Sequence, residues 1–199
     1  DPRRTVIIND EDQDFRLEDL IAEESCVVTI SHEGYIKRMP LTSYRRQGRG
    51  GKGVIGSTAK EGDFIRYMFT ASTHDYILFF TTMGQCYWQK VYDIPQMSRQ
   101  SKGRAIVNLL SLRSGETIAG FIPVREFDEK RQLVFATALG TIKKTALTAF
   151  SRPKRGGIIA IHLDKGDNLI EVLISSGNDE IVLGTRNGMA IRFKETDVR

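Results

Sequence analysis

The densest concentration of usable chemistry in this 199-residue chain is Tyr44-Arg45-Arg46-Gln47-Gly48-Arg49-Gly50-Gly51-Lys52-Gly53, with four glycines and four cations in ten residues and no acid between Glu33 and Glu61. Glycines let a backbone approach a partner closely and turn its N–H groups outward, while arginine offers a planar fork and lysine a point charge to phosphate oxygens. Such a loop suits phosphate better than packing, although a solvated hairpin loop could share its composition. Two further loops are basic and contain glycine, Arg99 to Arg104 and Arg152 to Gly157. They add Arg99, Lys102, Arg104, Arg152, Lys154 and Arg155. Three loops displayed alike would form a continuous cationic track.

Other chemistries find little support. Gly48, Gly50, Gly51 and Gly53 satisfy a formal G-x-G-x-x-G, but the dinucleotide fingerprint needs a helix after it, and Val54 onward reads as strand and turn. A P-loop fails because Lys52 is followed by Gly53, and Arg46 stands where the first glycine belongs. His32, His74 and His162 stand alone, with no paired ligand spacing, and no G-x-S-x-G elbow is present. No catalytic residue, metal site or cofactor is expected within this chain. Cys26 and Cys86 are too few for a disulfide framework, which favours a reducing, cytoplasmic setting.

The elements that must carry the loops come from a repeat. One glycine-centred hairpin occurs four times, as His32 to Arg38, Thr82 to Trp88, Ala138 to Lys144 and Arg186 to Arg192, with Gly34, Gly84, Gly140 and Gly188 at its turn. Each turn is preceded by a β-rich apolar run (Cys26 to Ile30, Tyr76 to Phe80, Gln132 to Phe135, Ile181 to Leu183) and followed by an alternating one, the mark of two antiparallel strands. A basic loop then leads into a short apolar strand (Val54 and Ile55, Ala105 to Leu110, Ile158 to Leu163). A polar turn at Gly62, Gly115 or Gly166 and a further strand follow (Phe64 to Phe69, Thr117 to Ile122, Leu169 to Ile174). Four short strands per unit of roughly fifty residues predict an all-β, propeller-like array of four-stranded blades, because one small sheet cannot bury both faces alone.

The expected units are approximately 25–73, 74–127, 128–176 and an incomplete 177–199, preceded by an acidic lead segment, 1–24. The partial array therefore holds about three and a half to four blades. An isolated hairpin is marginal in water, so the last unit is expected to end at a boundary within a longer protein or to borrow strands from a neighbour. Leu17 to Glu23 is the best helix candidate, at about two turns, and Arg4 to Ile8 reads as a lone strand. Trp88, Phe79 and Phe80 read as core between blades rather than as a stacking platform for bases.

Composition sets the class. A chain 40% hydrophobic and 27% charged is neither disordered nor fibrous, and its longest apolar runs fall far short of a membrane span, so no membrane partner is expected. The net charge of +4 hides an uneven distribution. Residues 1–24 carry nine acids against three bases, whereas residues 25–199 carry 26 bases against 16 acids, a net of +10. Such a body fits either a polyanionic partner or a solvated basic face.

Gln47-Gly48-Arg49-Gly50-Gly51-Lys52-Gly53 closely resembles the GyrA box, Q-R-R-G-G-[RK]-G, found in the C-terminal domain of the DNA gyrase A subunit. Glu18 to Glu24, Tyr87 to Tyr92, Ile106 to Leu110 and Arg192 to Glu195 resemble stretches of the same domain in the same order. Gly48 departs from the motif, removing one cation and adding backbone freedom. The resemblance implies a six-bladed β-pinwheel of which this chain would be the N-terminal two thirds. It further implies non-sequence-specific wrapping of double-stranded DNA around a basic rim, in support of negative supercoiling in a bacterial, nucleoid-associated enzyme.

On that resemblance Arg49 and Lys52 contact phosphates, Gly50, Gly51 and Gly53 set the loop's backbone, and Gln47 holds it. Arg45 and Arg46 flank the loop, and the cations of the other two loops continue the track. Partners would be the N-terminal part of the gyrase A protein and the gyrase B protein, as an A2B2 heterotetramer whose ATP and Mg act in other domains, leaving this fragment non-catalytic. Alternatives are the corresponding domain of the topoisomerase IV A protein, which typically lacks an intact box, a propeller scaffold for protein partners, and an enzyme with its site at the propeller axis.

Overall fold

The computed structural model describes residues 17–44 and 61–198. The expected strands at Arg4 to Ile8 and at Val54 and Ile55, and the loop from Arg45 to Gly53, lie outside the described residues. The strands are β1 (Ser25–Ser31), β2 (Tyr35–Pro40), β3 (Ile65–Ser72), β4 (Tyr76–Thr81), β5 (Gln85–Lys90), β6 (Arg104–Ala105), β7 (Ile118–Val124), β8 (Gln132–Thr137), β9 (Ile142–Ala146), β10 (Ile158–Ile159), β11 (Leu169–Ser175), β12 (Glu180–Gly184) and β13 (Ala190–Lys194). All helical segments among the described residues are single 3-10 turns. None is long or apolar enough to cross a membrane. The stretch at Leu17 to Glu23, expected as two helical turns, is one 3-10 turn, Leu17–Leu20.

Each hairpin closes in the same way for a local reason. The N–H of Gly34, Gly84, Gly140 or Gly188 donates to the carbonyl three residues back, and the glycine takes a φ of +76° to +92°. A hydroxyl at that upstream position, on Ser31, Thr81, Thr137 or Thr185, accepts from the N–H just after the glycine at 3.0–3.2 Å. This turn with a left-handed glycine suits the right-handed twist of paired strands.

The sheets depart from the expected grouping of four strands per unit. The first sheet runs β3-β1-β2-β6 and the second β10-β5-β4-β7. The short strand after the second and after the third basic loop therefore completes the sheet of the preceding unit. Arg104 and Ala105 pair with Ile36 and Tyr35, and Ile158 and Ile159 pair with Cys86 and Gln85. These strands are also shorter than expected. Residues Ile106–Asn108, expected as strand, form a 3-10 turn. The third sheet is β11-β8-β9, and β12 pairs with β13 alone.

Two cores separate the sheets, and β4 feeds both. Ile77 and Phe79 join Val28, Ile36 and Ile106 between the first and second sheets, while Leu78 and Phe80 join Leu133, Phe135 and Phe150 between the second and third. Successive side chains of a strand point to opposite faces, so a strand sandwiched between two cores must be apolar throughout. This accounts for the uninterrupted run Ile77-Leu78-Phe79-Phe80, and it places the aromatic pair in the inter-blade core, as expected.

Candidate nucleic-acid interface

The loop ending in Arg104 crosses from the second unit onto the first sheet and is held along its length. Arg38 N–H donates to Pro95 O at 3.1 Å, and Met97 N–H donates to Arg38 O at 3.0 Å. Gly103, at φ +95°, passes so close to β2 that a Cβ would lie 2.9 Å from Ile36 O. Ile106 N–H then donates to Gly34 O at 2.9 Å. The third unit repeats this crossing. A Cβ on Gly157 would lie 2.8 Å from Cys86 O, and Ala160 N–H donates to Gly84 O at 2.8 Å. The two loops therefore occupy corresponding places on successive blades.

Their cations face outward. Lys102, Arg104, Arg152, Lys154 and Arg155 are exposed, and Arg99 is half-buried. Among the described residues none of the five exposed cations is paired with a carboxylate. Arg99 lies near Tyr44, at the base of the first unit's loop. Burial raises the Tyr44 phenol above its ordinary value, and the Arg99 charge opposes that rise. Arg45, Arg46, Gln47, Gly48, Arg49, Gly50, Gly51, Lys52 and Gly53 lie outside the described residues.

Several acids of the described residues are engaged in holding turns and the lead segment. Asp63 Oδ1 accepts from Glu33 N–H at 3.0 Å, and Asp167 Oδ1 accepts from Leu139 N–H at 2.9 Å, pinning two hairpin tips from the polar turns that follow Gly62 and Gly166. In Asp167 burial pushes the carboxyl pKa up, but hydrogen bonds from Thr137, Leu139, Asn168 and Ala138 outweigh it and hold the group below its ordinary value. Glu18 pairs with Lys90 at 2.6 Å, and Glu23 with Arg125 at 3.3 Å, fastening the end of the acidic lead segment to the second blade. His32 stacks on Phe64, and His74 Nε2 lies 2.8 Å from Ile21 O.

Two sets of positioning residues gave no recognised signal in the sequence. The residue four places after each of the first three turn glycines carries a donor that reaches the short 3-10 turn of the next unit or its flank. Arg38 Nε donates to Ile94 O at 2.8 Å, Trp88 Nε1 to Phe150 O at 2.7 Å, and Lys144 Nζ to Glu195 O at 3.0 Å. Aligning the four hairpins on their glycines exposes this column, whose fourth member is Arg192. The second set is Lys37 alone, almost fully buried in β2, whose ammonium donates to the carbonyls of Ser98, Arg99 and Ser101 at 3.3, 2.9 and 2.5 Å. Burial lowers its pKa. A lone lysine in an alternating strand does not announce that role.

A family model described as the DNA gyrase C-terminal domain, a β-propeller, matches residues 27–72, 75–125, 131–176 and 179–199. The chain belongs to that family. It is 51% identical over all 199 residues to the DNA gyrase A protein of Salmonella typhimurium and 48% identical to that of Escherichia coli, covering 23% of each. The chain thus spans about a quarter of the length of these curated relatives. Among solved structures, the C-terminal domain of DNA topoisomerase IV superposes with a TM-score of 0.77 at 29% identity, covering 90% of this chain and 54% of that one. The DNA gyrase A C-terminal domain superposes with a TM-score of 0.64 at 28% identity, covering 88% and 56%. The two solved domains share the fold at nearly equal identity to this chain, and the curated relatives at about 50% identity are DNA gyrase A proteins, so the comparisons do not favour topoisomerase IV over gyrase.

Proposed function

We propose that this chain binds, bends and wraps duplex DNA around its basic rim without reading sequence, and so supports negative supercoiling by a gyrase. The observation that carries this reading is the repeated crossing loop, which sets outward-facing cations at corresponding places on successive blades. Smooth bending of a 20–30 bp site by 40–90° costs about 1–6 kcal/mol, so a wrap needs many distributed phosphate contacts. Arg99, Lys102, Arg104, Arg152, Lys154 and Arg155 are suited to supply them. Arg49 and Lys52 are assigned to phosphates as well, with Arg45 and Arg46 flanking. Gly48, Gly50, Gly51 and Gly53 provide backbone freedom, and Gln47 holds the loop.

The chain acts here as a non-catalytic module in the cytoplasm. Cleavage, ATP and Mg belong to other parts of an assembly with the remainder of the gyrase A protein and with the gyrase B protein. Relaxing closed circular DNA with a topoisomerase in the presence of the chain is expected to leave a chiral shift in linking number. Arg49→Ala with Lys52→Ala should abolish that shift while thermal unfolding stays unchanged. Unaltered topology in the double variant would remove the box assignment. If roughly six to ten phosphates are neutralised, affinity should fall about 10³–10⁵-fold between 50 and 200 mM salt.

A further inference from the structure

The cations proposed to meet DNA lie at the surface, yet the one that organises their loop is buried. Lys37 is 1% exposed and lies beneath the loop from Ser98 to Arg104, with the carbonyls of Ser98, Arg99 and Ser101 all within hydrogen-bond reach of its ammonium. Convergence of three backbone carbonyls on one point fixes the curvature of a segment that has no regular secondary structure of its own. It also offsets the desolvation of the charge. The loop so shaped carries Arg99, Lys102 and Arg104 and adjoins Tyr44.

The corresponding positions of the other blades do different work. Tyr87 donates its hydroxyl to Glu116 Oε2 at 2.8 Å, and Lys143 Nζ donates to Ala160 O at 2.8 Å. Among the described residues, then, support by an ammonium on three carbonyls is peculiar to the second unit's loop. The third unit's loop crosses above Tyr87 instead and serves as an internal control.

We propose that Lys37 is a positioning residue for DNA wrapping, which holds the loop from Ser98 to Arg104 in the shape that presents Arg99, Lys102 and Arg104 to phosphates without touching DNA itself. This rests on the wrapping function proposed above. The test uses the 199-residue chain and a linear mixed-sequence duplex, with affinity measured from about 50 to 200 mM salt, where the log–log slope changes by about 0.9 per neutralised phosphate.

Lys37→Met should make the slope shallower by about 0.9 for each phosphate no longer neutralised, and by up to about 2.7 if all three cations of the loop are displaced. Adding Arg99→Ala, Lys102→Ala and Arg104→Ala to Lys37→Met should bring the total loss to that of the triple variant alone and no further. Adding Arg152→Ala, Lys154→Ala and Arg155→Ala should still lower it by its own full amount. That pattern separates loop positioning from general destabilisation, which would affect both loops alike. Should Lys37→Met fail to unfold cooperatively, Lys37→Gln, which keeps an amide donor in the same space, carries the same outcomes.

A wild-type slope in the folded Lys37 variant, with a reduced slope in the Arg99, Lys102 and Arg104 triple variant, overturns the proposal and leaves wrapping intact. A slope near zero in the unsubstituted chain removes wrapping, and the proposal with it.

Discussion

The hairpin β4–β5 and the hairpin β12–β13 are built on the same local plan and end in different surroundings. Both close through a left-handed glycine, Gly84 or Gly188, and an upstream threonine hydroxyl, Thr81 or Thr185. In β4 every residue from Ile77 to Phe80 is buried, because cores lie on both faces. In β12–β13, Val182 is 65% and Ile191 59% exposed. The fourth hairpin is instead fastened to the third blade by polar bonds. Lys144 Nζ donates to Glu195 O and Ser175 Oγ donates to Glu195 Oε1 at 2.7 Å, while within the fourth unit Asp179 N–H donates to Glu195 Oε2 at 3.1 Å. Hairpin geometry is thus a property of the turn, whereas the worth of each apolar side chain depends on whether another blade packs against it.

The sharpest way to break this comparison is truncation in the two hairpins. Phe80→Ala, which removes a ring packed against Phe135 and Phe150, is expected to cost about 3–5 kcal/mol in urea unfolding. Val182→Ala should stay within about 0.5 kcal/mol. Comparable losses at the two sites would mean that the fourth hairpin has a buried second face in solution.

A smaller effect is expected from the column of donors four places after the turn. Trp88→Phe keeps most of the ring and deletes the bond to Phe150 O, leaving that carbonyl short of a donor, so a loss of about 1–3 kcal/mol should follow. Arg192→Ala, at the matching place in the fourth hairpin, breaks only an exposed pairing with Glu180 at 3.6 Å and should cost about 0–1 kcal/mol.

The smallest effect is a pH dependence. Asp63 and Asp167 are held below their ordinary carboxyl value of 3.8 in the folded chain; burial acts upward in both, and the hydrogen bonds they accept outweigh it. A group depressed on folding adds stability above its unfolded pKa, and that stability is lost as pH falls through the folded pKa. Acid titration of stability should therefore steepen below about pH 3.8. Asp167→Asn should flatten that part of the curve and leave the neutral-pH hairpin assembled. An unchanged acid limb would show that the tip is not pinned by the carboxylate.

Much of the architecture was legible in the sequence because it is local. The spacing of Gly34, Gly84, Gly140 and Gly188 located every described hairpin, and the alternation or continuity of apolar residues located their strands. The basic loops were visible as composition. What escaped was pairing across distance. Arg104–Ala105 and Ile158–Ile159 are too short to declare a partner, and nothing in them says that they belong to the preceding sheet. Likewise Lys37 reads as an ordinary polar position in β2. Only the loop folded over it, some sixty residues further along, makes its charge useful.

By itself, then, the sequence determined the repeat, the turns, the two-faced apolar strand β4 and the identity of the cations that could meet a polyanion, since each depends on residues within a few positions of one another. The tertiary structure decided which unit completes which sheet, which hairpins have two buried faces, and that Lys37 and the donors Arg38, Trp88 and Lys144 hold neighbouring units in place. Those outcomes depend on contacts between residues of neighbouring units, and the energy of such contacts is set by where the blades pack.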